Sequence, residues 1–335
     1  MKIKWAVIGA TGWAGRVIIQ NAIKQSAICE LSAVQSLDKE AVLMLAKENN
    51  IPWYLSVEEM LSKTKCDAVY IASPQFVHCE HLKIAASFKK HVFCEKPLAL
   101  NVREAEEMVK VCKKNNVKFG TGFNLRYNNL HIKAKELLAN GAIGKIVSAR
   151  CQYGQNFQPD SKAFRQKLDT SGGGSMVDMG NHIMDLIEYI TGKKFKTVMA
   201  VAQNNIHNYE VEDTCAALLE FENGGFAFVD SYYCMPIDVL RNDLEINGDK
   251  GTIYTVDSLR GMTTGGKLFL IKNDKKEEFK YDGTDMYKNE FEAFSHAIIN
   301  NTEPPCSGLD GLHSQKILDA IYKSARAGKK IEIVN

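Results

Sequence analysis

Residues 4–16 read KWAVIGATGWAGR, and this stretch decides the fold. A short apolar run from Trp5 to Ile8 stops at Gly9, glycines return at positions 12 and 15, and from Val17 to Ile23 the apolar residues take up helical spacing. Strand, glycine turn and helix in that order open a βαβ unit. Bare backbone at 9, 12 and 15 turns tightly and lets a pyrophosphate approach the unpaired amides and positive end of the following helix. The spacing is G-x-x-G-x-x-G rather than the commoner G-x-G-x-x-G, with Ala10 where the usual pattern has its first glycine. A glycine turn alone is a weak signal, and its place at the start of a βαβ pattern strengthens it. Gly9, Thr11, Gly12, Trp13 and Ala14 are the cofactor-binding residues expected here.

A second strand, residues 30–37, follows at about the separation where dinucleotide folds place the group that reads the ribose. Its tip runs Gln35, Ser36, Leu37, Asp38, Lys39. An acid in place of Ser36 would favour NAD, and Lys39 nearby leaves room for a 2′-phosphate. Asp38 can take the ribose hydroxyls or simply cap the helix that starts near Lys39. The cofactor is read as NAD(P), leaning to NADP, with Ser36 and Asp38 at its ribose. Further strands at 67–72 and 91–94 end in Ser73-Pro74-Gln75 and Glu95-Lys96-Pro97, and another is centred on Phe119. Five strands separated by helices describe a parallel doubly wound sheet, whose ligands bind at the carboxyl ends. Ser73, Pro74, Gln75, His78, Glu95, Lys96 and Arg126 are therefore expected around the nicotinamide. His78 and His81 could share a helix face, but no second cluster completes a coordination shell, so no metal is expected. Lys96 as a surface lysine would keep its charge in water, the ordinary fate of lysine. In a cleft, its ammonium could instead hydrogen-bond a reacting oxygen.

Residues 172–192, GGGSMVDMGNHIMDLIEYITG, read as one buried helix between glycines. At helical spacing Asp178, His182, Asp185 and Tyr189 fall within about 40° of one another, a polar stripe on an apolar helix. Burying such groups without partners costs several kcal/mol, so the stripe faces other polar groups or lines a wet cleft. Asp178 and His182 either satisfy each other at i, i+4 or form a catalytic acid/base pair, and the residues alone leave both open.

From Asn124 the pattern changes. A helix over 129–140 leads to β-rich runs at 145–153, 196–202, 213–221, 225–233, 243–247, 251–256, 266–271 and 275–280, joined by Gly, Asn and Asp turns. Helices at 287–300 and 310–327 and a strand at 330–334 close the chain. The expected organisation is α/β: a Rossmann domain over 1–123, then an α+β domain over 124–335 built on a large, mostly antiparallel open sheet. One sheet face would carry the stripe helix. The other, with Phe228 and Tyr232, would meet a second subunit in a homodimer or homotetramer.

Composition agrees with this reading. A chain of 335 residues, 45% hydrophobic and 24% charged, is that of a folded soluble protein of about two domains. A formal charge of +2, spread along the chain, offers no stripe for nucleic acid and no anchor for anionic lipid, so the partner is a small molecule. No apolar run approaches the roughly 20 residues of a membrane span, and the first strand starts too near Met1 to admit a signal peptide. Nine cysteines without a C-x-x-C pair read as reduced thiols in the cytoplasm.

With these residues in view the sequence resembles, from end to end, the Gfo/Idh/MocA family of oxidoreductases. The resemblance is carried by the glycine turn, DAVYIASPQFVH at 67–78, HVFCEKPLAL at 91–100, the Arg126 region, GGGSMVDMGNHIMDL at 172–186, LEINGDKGTI at 244–253 and IYKSARAGKKIEI at 321–333. It implies a Rossmann domain joined to an α/β domain on an open antiparallel sheet, and NAD(P)-dependent dehydrogenation of sugars, polyols and related compounds. It also implies that Lys96, Asp178 and His182 hold the catalytic positions, and that Arg165, upstream of the triple glycine, contacts substrate. Tyr153 and Asn181 are assigned to the substrate side with it. His182 would take or give the hydroxyl proton, Lys96 would stabilise the alkoxide and relay the proton, and Asp178 would orient substrate or imidazole. Two other functions stay in view: a dinucleotide-binding, sugar-responsive regulator without turnover, and a reductase of a non-sugar compound.

Overall fold

Strand β1, Ile3–Ile8, is buried at all but one position, as a central parallel strand must be when helices cover both faces of its sheet. The structure, a computed structural model, describes residues 2–259 and 266–334. With β2 (Cys29–Gln35), β3 (Trp53–Tyr54), β4 (Ala68–Ile71), β5 (His91–Glu95) and β6 (Phe119–Gly122), β1 forms a six-stranded parallel sheet in the order 3-2-1-4-5-6. That is the Rossmann order, and the reversal between β1 and β4 opens a crevice at their carboxyl ends. Five of the six strands are the expected ones; β3 is two residues long, too short for any period to show. Asp38, Ser56 and Asn101 each cap the helix that follows by accepting an amide hydrogen from the residue three ahead.

The first compact unit takes in Met1–Asn124 and also Tyr287–Gln315. The boundary read near residue 123 is therefore one edge of a discontinuous unit, and the reason is aromatic packing. The Trp5 ring lies 4.8 Å from Phe291 and 5.7 Å from Phe294, and its indole nitrogen donates to the Ser295 hydroxyl.

The second unit, Leu125–Met286 with Lys316–Asn335, is built on a nine-stranded sheet. Its strands are β7 (Ile146–Gly154), β8 (Phe195–Gln203), β9 (Thr214–Phe221), β10 (Phe226–Tyr232), β11 (Leu244–Gly248), β12 (Gly251–Val256), β13 (Lys267–Lys272), β14 (Lys275–Lys280) and β15 (Ile331–Glu332), in the order 14-13-12-11-7-10-9-8-15. All neighbours are antiparallel except β7 and β10, which run parallel. Tight turns link the hairpins, with Asn273 and Asp274 both at positive φ between β13 and β14. One face, with Ala217, Leu219, Ala227 and Val229 buried, lies on the side of the stripe helix, which packs on β7. The other leaves Met199, Val201, Leu218, Phe226 and Phe228 exposed.

The stripe helix departs from expectation at its start. Met176–Gly180 is a π-turn, and regular α-helix runs only from Asn181 to Thr191. The wider turn displaces Asp178 from the α-helical register assumed in projecting the stripe. No helix among the described residues is long and apolar enough to cross a membrane, and none of their His, Cys, Asp and Glu residues group to hold a metal ion.

Candidate active site

Each unit carries one set of the expected residues. In the first, Gly9 has φ of +74°, and a Cβ there would sit 2.6 Å from the Ser73 amide nitrogen, so only glycine fits. A Cβ at Gly15 would press within 2.7 Å of the Ala10 Cα, holding the helix close to the strand. Gly12 differs: its nearest neighbour would be 3.4 Å away, an ordinary contact. No described atom of the protein demands a bare backbone at Gly12. It stands at the start of the helix beginning at Trp13, whose first amides have no intrahelical acceptor, and such a cradle fits a pyrophosphate. Trp13 is 65% exposed, its ring edge toward Tyr287.

The Thr11 and Ser36 hydroxyls meet at 2.6 Å, tying the glycine turn to the tip of β2. Asp38 is exposed and accepts from the Ala41 amide at 3.0 Å, which makes it the helix cap. At the end of β4, the Ser73 hydroxyl bonds His81 Nδ1 at 2.9 Å, and Gln75 is buried beneath the turn that Pro74 begins. At the end of β5, Glu95 accepts from the Tyr70 hydroxyl and from the Lys96 amide, while Lys96 itself is half-buried. The Lys96–Pro97 peptide is cis.

His78, expected at the cofactor, is bound to the backbone on both ring nitrogens. It is 1% exposed, with Nε2 2.7 Å from the Ser73 carbonyl and Nδ1 near the carbonyls of Pro97 and Leu98. Burial pushes its pKa down to about 4 against the pull of those carbonyls, so the ring is neutral. It staples the turn after β4 to the turn after β5, two segments that carry expected site residues. The sequence put it in the right neighbourhood but could not show that both nitrogens are spent on backbone.

In the second unit, the Asp178 carboxylate accepts from the Tyr233 hydroxyl at 2.9 Å, and Arg165 Nε lies 3.3 Å from the same oxygen. Tyr233 is wedged edge-on between Phe157 and Tyr209. Burial first, and Asp178 second, push the Tyr233 hydroxyl well above its ordinary range, so it stays a donor. The His182 ring is half-buried and meets Tyr153 edge-on at 5.9 Å; burial and then Asp178 push up the Tyr153 hydroxyl as well. Asp178, His182, Arg165 and Tyr153 thus belong to one neighbourhood. Asn181 is 2% exposed and closed off from solvent, which the helical projection did not reveal.

The rest of the stripe serves the fold. Arg126, expected at the cofactor, closes its guanidinium on Asp185, with Nε to Oδ2 at 2.8 Å and Nη2 to Oδ1 at 2.5 Å. Both groups are almost wholly buried, and Tyr189 lies against the guanidinium. Forked pairing of this kind fixes geometry, and sequence spacing could not foresee it because the partners are 59 residues apart.

Three residues were missed altogether: Glu212, Tyr233 and Tyr322. Glu212 accepts from the Gly174 and Met176 amides and from the Tyr322 hydroxyl. Nothing in their local patterns separates them from ordinary strand and helix residues.

Comparison with known proteins agrees with this architecture. Residues 3–123 match the model of an oxidoreductase family with an NAD-binding Rossmann fold, and residues 131–254 match the GFO/IDH/MocA C-terminal domain. The chain is 27% identical over 333 residues to the 1,5-anhydro-D-fructose reductase of Ensifer adhaerens, covering 98% of each. It is 26% identical over 336 residues to a D-xylose 1-dehydrogenase (NADP(+)) of Haloferax volcanii, covering 98% of this chain and 99% of that one. Among solved structures, the aldose-aldose oxidoreductase of Caulobacter crescentus, complexed with glycerol, superposes with a TM-score of 0.92 at 25% identity, over 99% of this chain and 100% of that one.

Proposed function

The chain belongs to the Gfo/Idh/MocA family of NAD(P)-dependent oxidoreductases, and we propose that it moves a hydride between the dinucleotide and an oxygen-bearing carbon of a sugar or polyol. The observation that carries this reading is the Asp178 carboxylate, held by Tyr233 and Arg165 close to the half-buried His182 and Tyr153. The two relatives named above act, by their names, on sugars or anhydrosugars, which supports the substrate class.

The dinucleotide, when bound, supplies or accepts the hydride. Gly9, Thr11, Gly12, Trp13 and Ala14 would hold its pyrophosphate and Ser36 its ribose. The lean to NADP is kept, because a hydroxyl stands at position 36, Asp38 is engaged as a cap, and Lys39 adds positive charge beside it. In the proposed chemistry His182 takes or returns the substrate hydroxyl proton, a task suited to an imidazole near neutral pH. Lys96 stabilises the developing alkoxide with its ammonium and relays the proton. Asp178 orients the substrate or the imidazole, and Arg165 and Tyr153 contact substrate.

The exposed face of the second sheet is proposed to pair with another copy of the chain as a homodimer or homotetramer. Its centre is apolar at Phe228, Leu218 and Met199, which lie side by side across β10, β9 and β8, and Arg150 flanks them on β7. With nine thiols, eight of them buried, a reducing compartment such as the cytoplasm suits the protein.

The test is turnover of NADP(H) and NAD(H) over a panel of sugars, polyols and dicarbonyls. His182→Ala and Lys96→Ala should each lower kcat by about 10²-fold to 10⁴-fold while dinucleotide affinity holds. Near wild-type turnover in both variants would sink the assigned roles. Tight dinucleotide binding with no turnover anywhere on the panel would make the protein a regulator instead.

A further inference from the structure

We infer that Glu212, gripped by Tyr322, is the positioning residue that holds the start of the helix bearing Asp178 and His182. The inference rests on those two residues doing the chemistry. A helix begins with amides that have no intrahelical acceptor, ordinarily met by a Ser, Thr, Asp or Asn at its own N-cap. Here neither Ser175, ahead of the π-turn, nor Gly180, ahead of the α-helix, makes a side-chain cap bond. Glu212, just ahead of β9, supplies the cap from outside. Its Oε2 accepts from the Gly174 amide at 2.8 Å, its main-chain carbonyl from the Ser175 amide at 3.2 Å, and its Oε1 from the Met176 amide at 3.0 Å. Three consecutive amides thus end on one residue, which is only 7% exposed.

The triple glycine acquires a reason from this contact. A Cβ at Gly174 would lie 1.9 Å from the Glu212 carbonyl oxygen, and one at Gly173 would lie 2.2 Å from the Tyr322 hydroxyl. The backbone is bare there so that Glu212 and Tyr322 can reach it. Tyr322 donates to Glu212 Oε1 at 2.8 Å from the final helix, Gly308–Ala327. A carboxylate at this place also meets the positive end of the helix.

The titratable groups facing Glu212 are Tyr322 on the last helix, Tyr233 after β10 and Cys215 on β9, each pushed up chiefly by its own burial. Burial pushes the Glu212 carboxyl above its ordinary value, and the Met176 amide, the Tyr322 hydroxyl and the Gly174 amide pull it back down. Ionised, it is acceptor only and satisfies every donor. Protonated, it would turn one oxygen into a donor facing donors. Removing the Tyr322 hydroxyl takes away one of the downward pulls, so Glu212 should then protonate at higher pH.

Amide hydrogen exchange read by mass spectrometry on residues 172–180 tests the cap without any substrate. Tyr322→Phe and Glu212→Gln should each speed exchange there by about tenfold or more, the size expected for losing a hydrogen bond to a charged group, while residues 9–16 stay unchanged. With a substrate in hand, both should lower kcat and spare the dinucleotide KM. The acid limb of activity should lie at higher pH in Tyr322→Phe than in Glu212→Gln, whose amide cannot protonate and leaves only the proton transfer at His182 to shape it. Unchanged exchange in both variants overturns the proposal, as does faster exchange at residues 9–16 equal to that at 172–180, which would mark a general loss of stability. Faster exchange with full turnover in both would leave the cap standing and break the catalytic assignment of Asp178 and His182. Should Glu212→Gln fail to fold, Tyr322→Phe carries the test alone.

Discussion

The molecule has two glycine clusters that look alike in sequence and are bare for different reasons. At Gly9 to Gly15 two glycines serve the chain itself, while Gly12 has no neighbour that a Cβ would disturb, which leaves its backbone accessible to an approaching ligand. At Gly172 to Gly174 the space is filled from within: Gly172 takes a φ of +67°, and the other two are pressed by Tyr322 and Glu212. In the first cluster one glycine, Gly12, is bare with nothing of the protein against it, while in the second the protein itself presses on the bare backbone. Glycine therefore reports that a backbone must be approached closely, and only the fold says by what.

The largest effect should come from the second cluster. Gly174→Ala drives a methyl into the Glu212 backbone, and the loss should exceed about 3 kcal/mol of stability in urea unfolding. A stable, active Gly174→Ala protein would break the contrast. Gly12→Ala should behave oppositely. Its folded stability should be unchanged or up by about 0.5 kcal/mol, since φ is −68° and nothing is struck. Dinucleotide affinity should fall by about tenfold, or about 1.4 kcal/mol, in a fluorescence titration. Unaltered binding would leave the cradle without a ligand. The smallest effect sharpens the edge of the first region. Asp38→Ala should cost about 1 kcal/mol in thermal unfolding, the worth of a helix cap, and leave the ratio of NADP to NAD affinity unaltered. A selective loss of NAD affinity would show that Asp38 reads the ribose.

Much of this architecture was legible in the chain alone. The nine strands of the second sheet lie within two residues of their expected bounds, because alternation and Gly or Asn turns are local signals. The last of them is shorter than read at both ends, pairing with β8 only over Ile331–Glu332. Lys96 stood out between Glu95 and Pro97 at a strand end, and Asp178 and His182 as polar residues on an apolar helix, while their catalytic positions came from the family resemblance. What the sequence did not show shares a cause. Arg126 was assigned to a ligand and is bound to Asp185, His78 was assigned to the cofactor and is spent on backbone carbonyls, and Glu212 was not noticed. Each depends on which distant residue completes a hydrogen bond, and no spacing rule carries that.

By itself the sequence determined the order of strands and helices, the parallel and antiparallel halves and the short list of polar groups worth explaining, since periodicity, turn residues and caps act over a few neighbours. Tertiary structure alone decided that residues 287–315 join the first unit, that the stripe helix opens with a π-turn, and that Asp185 and Glu212 close on partners far away in the chain. Those outcomes follow from burial: a polar group removed from water must find its partner wherever the folded chain brings one within reach, whatever the distance along the sequence.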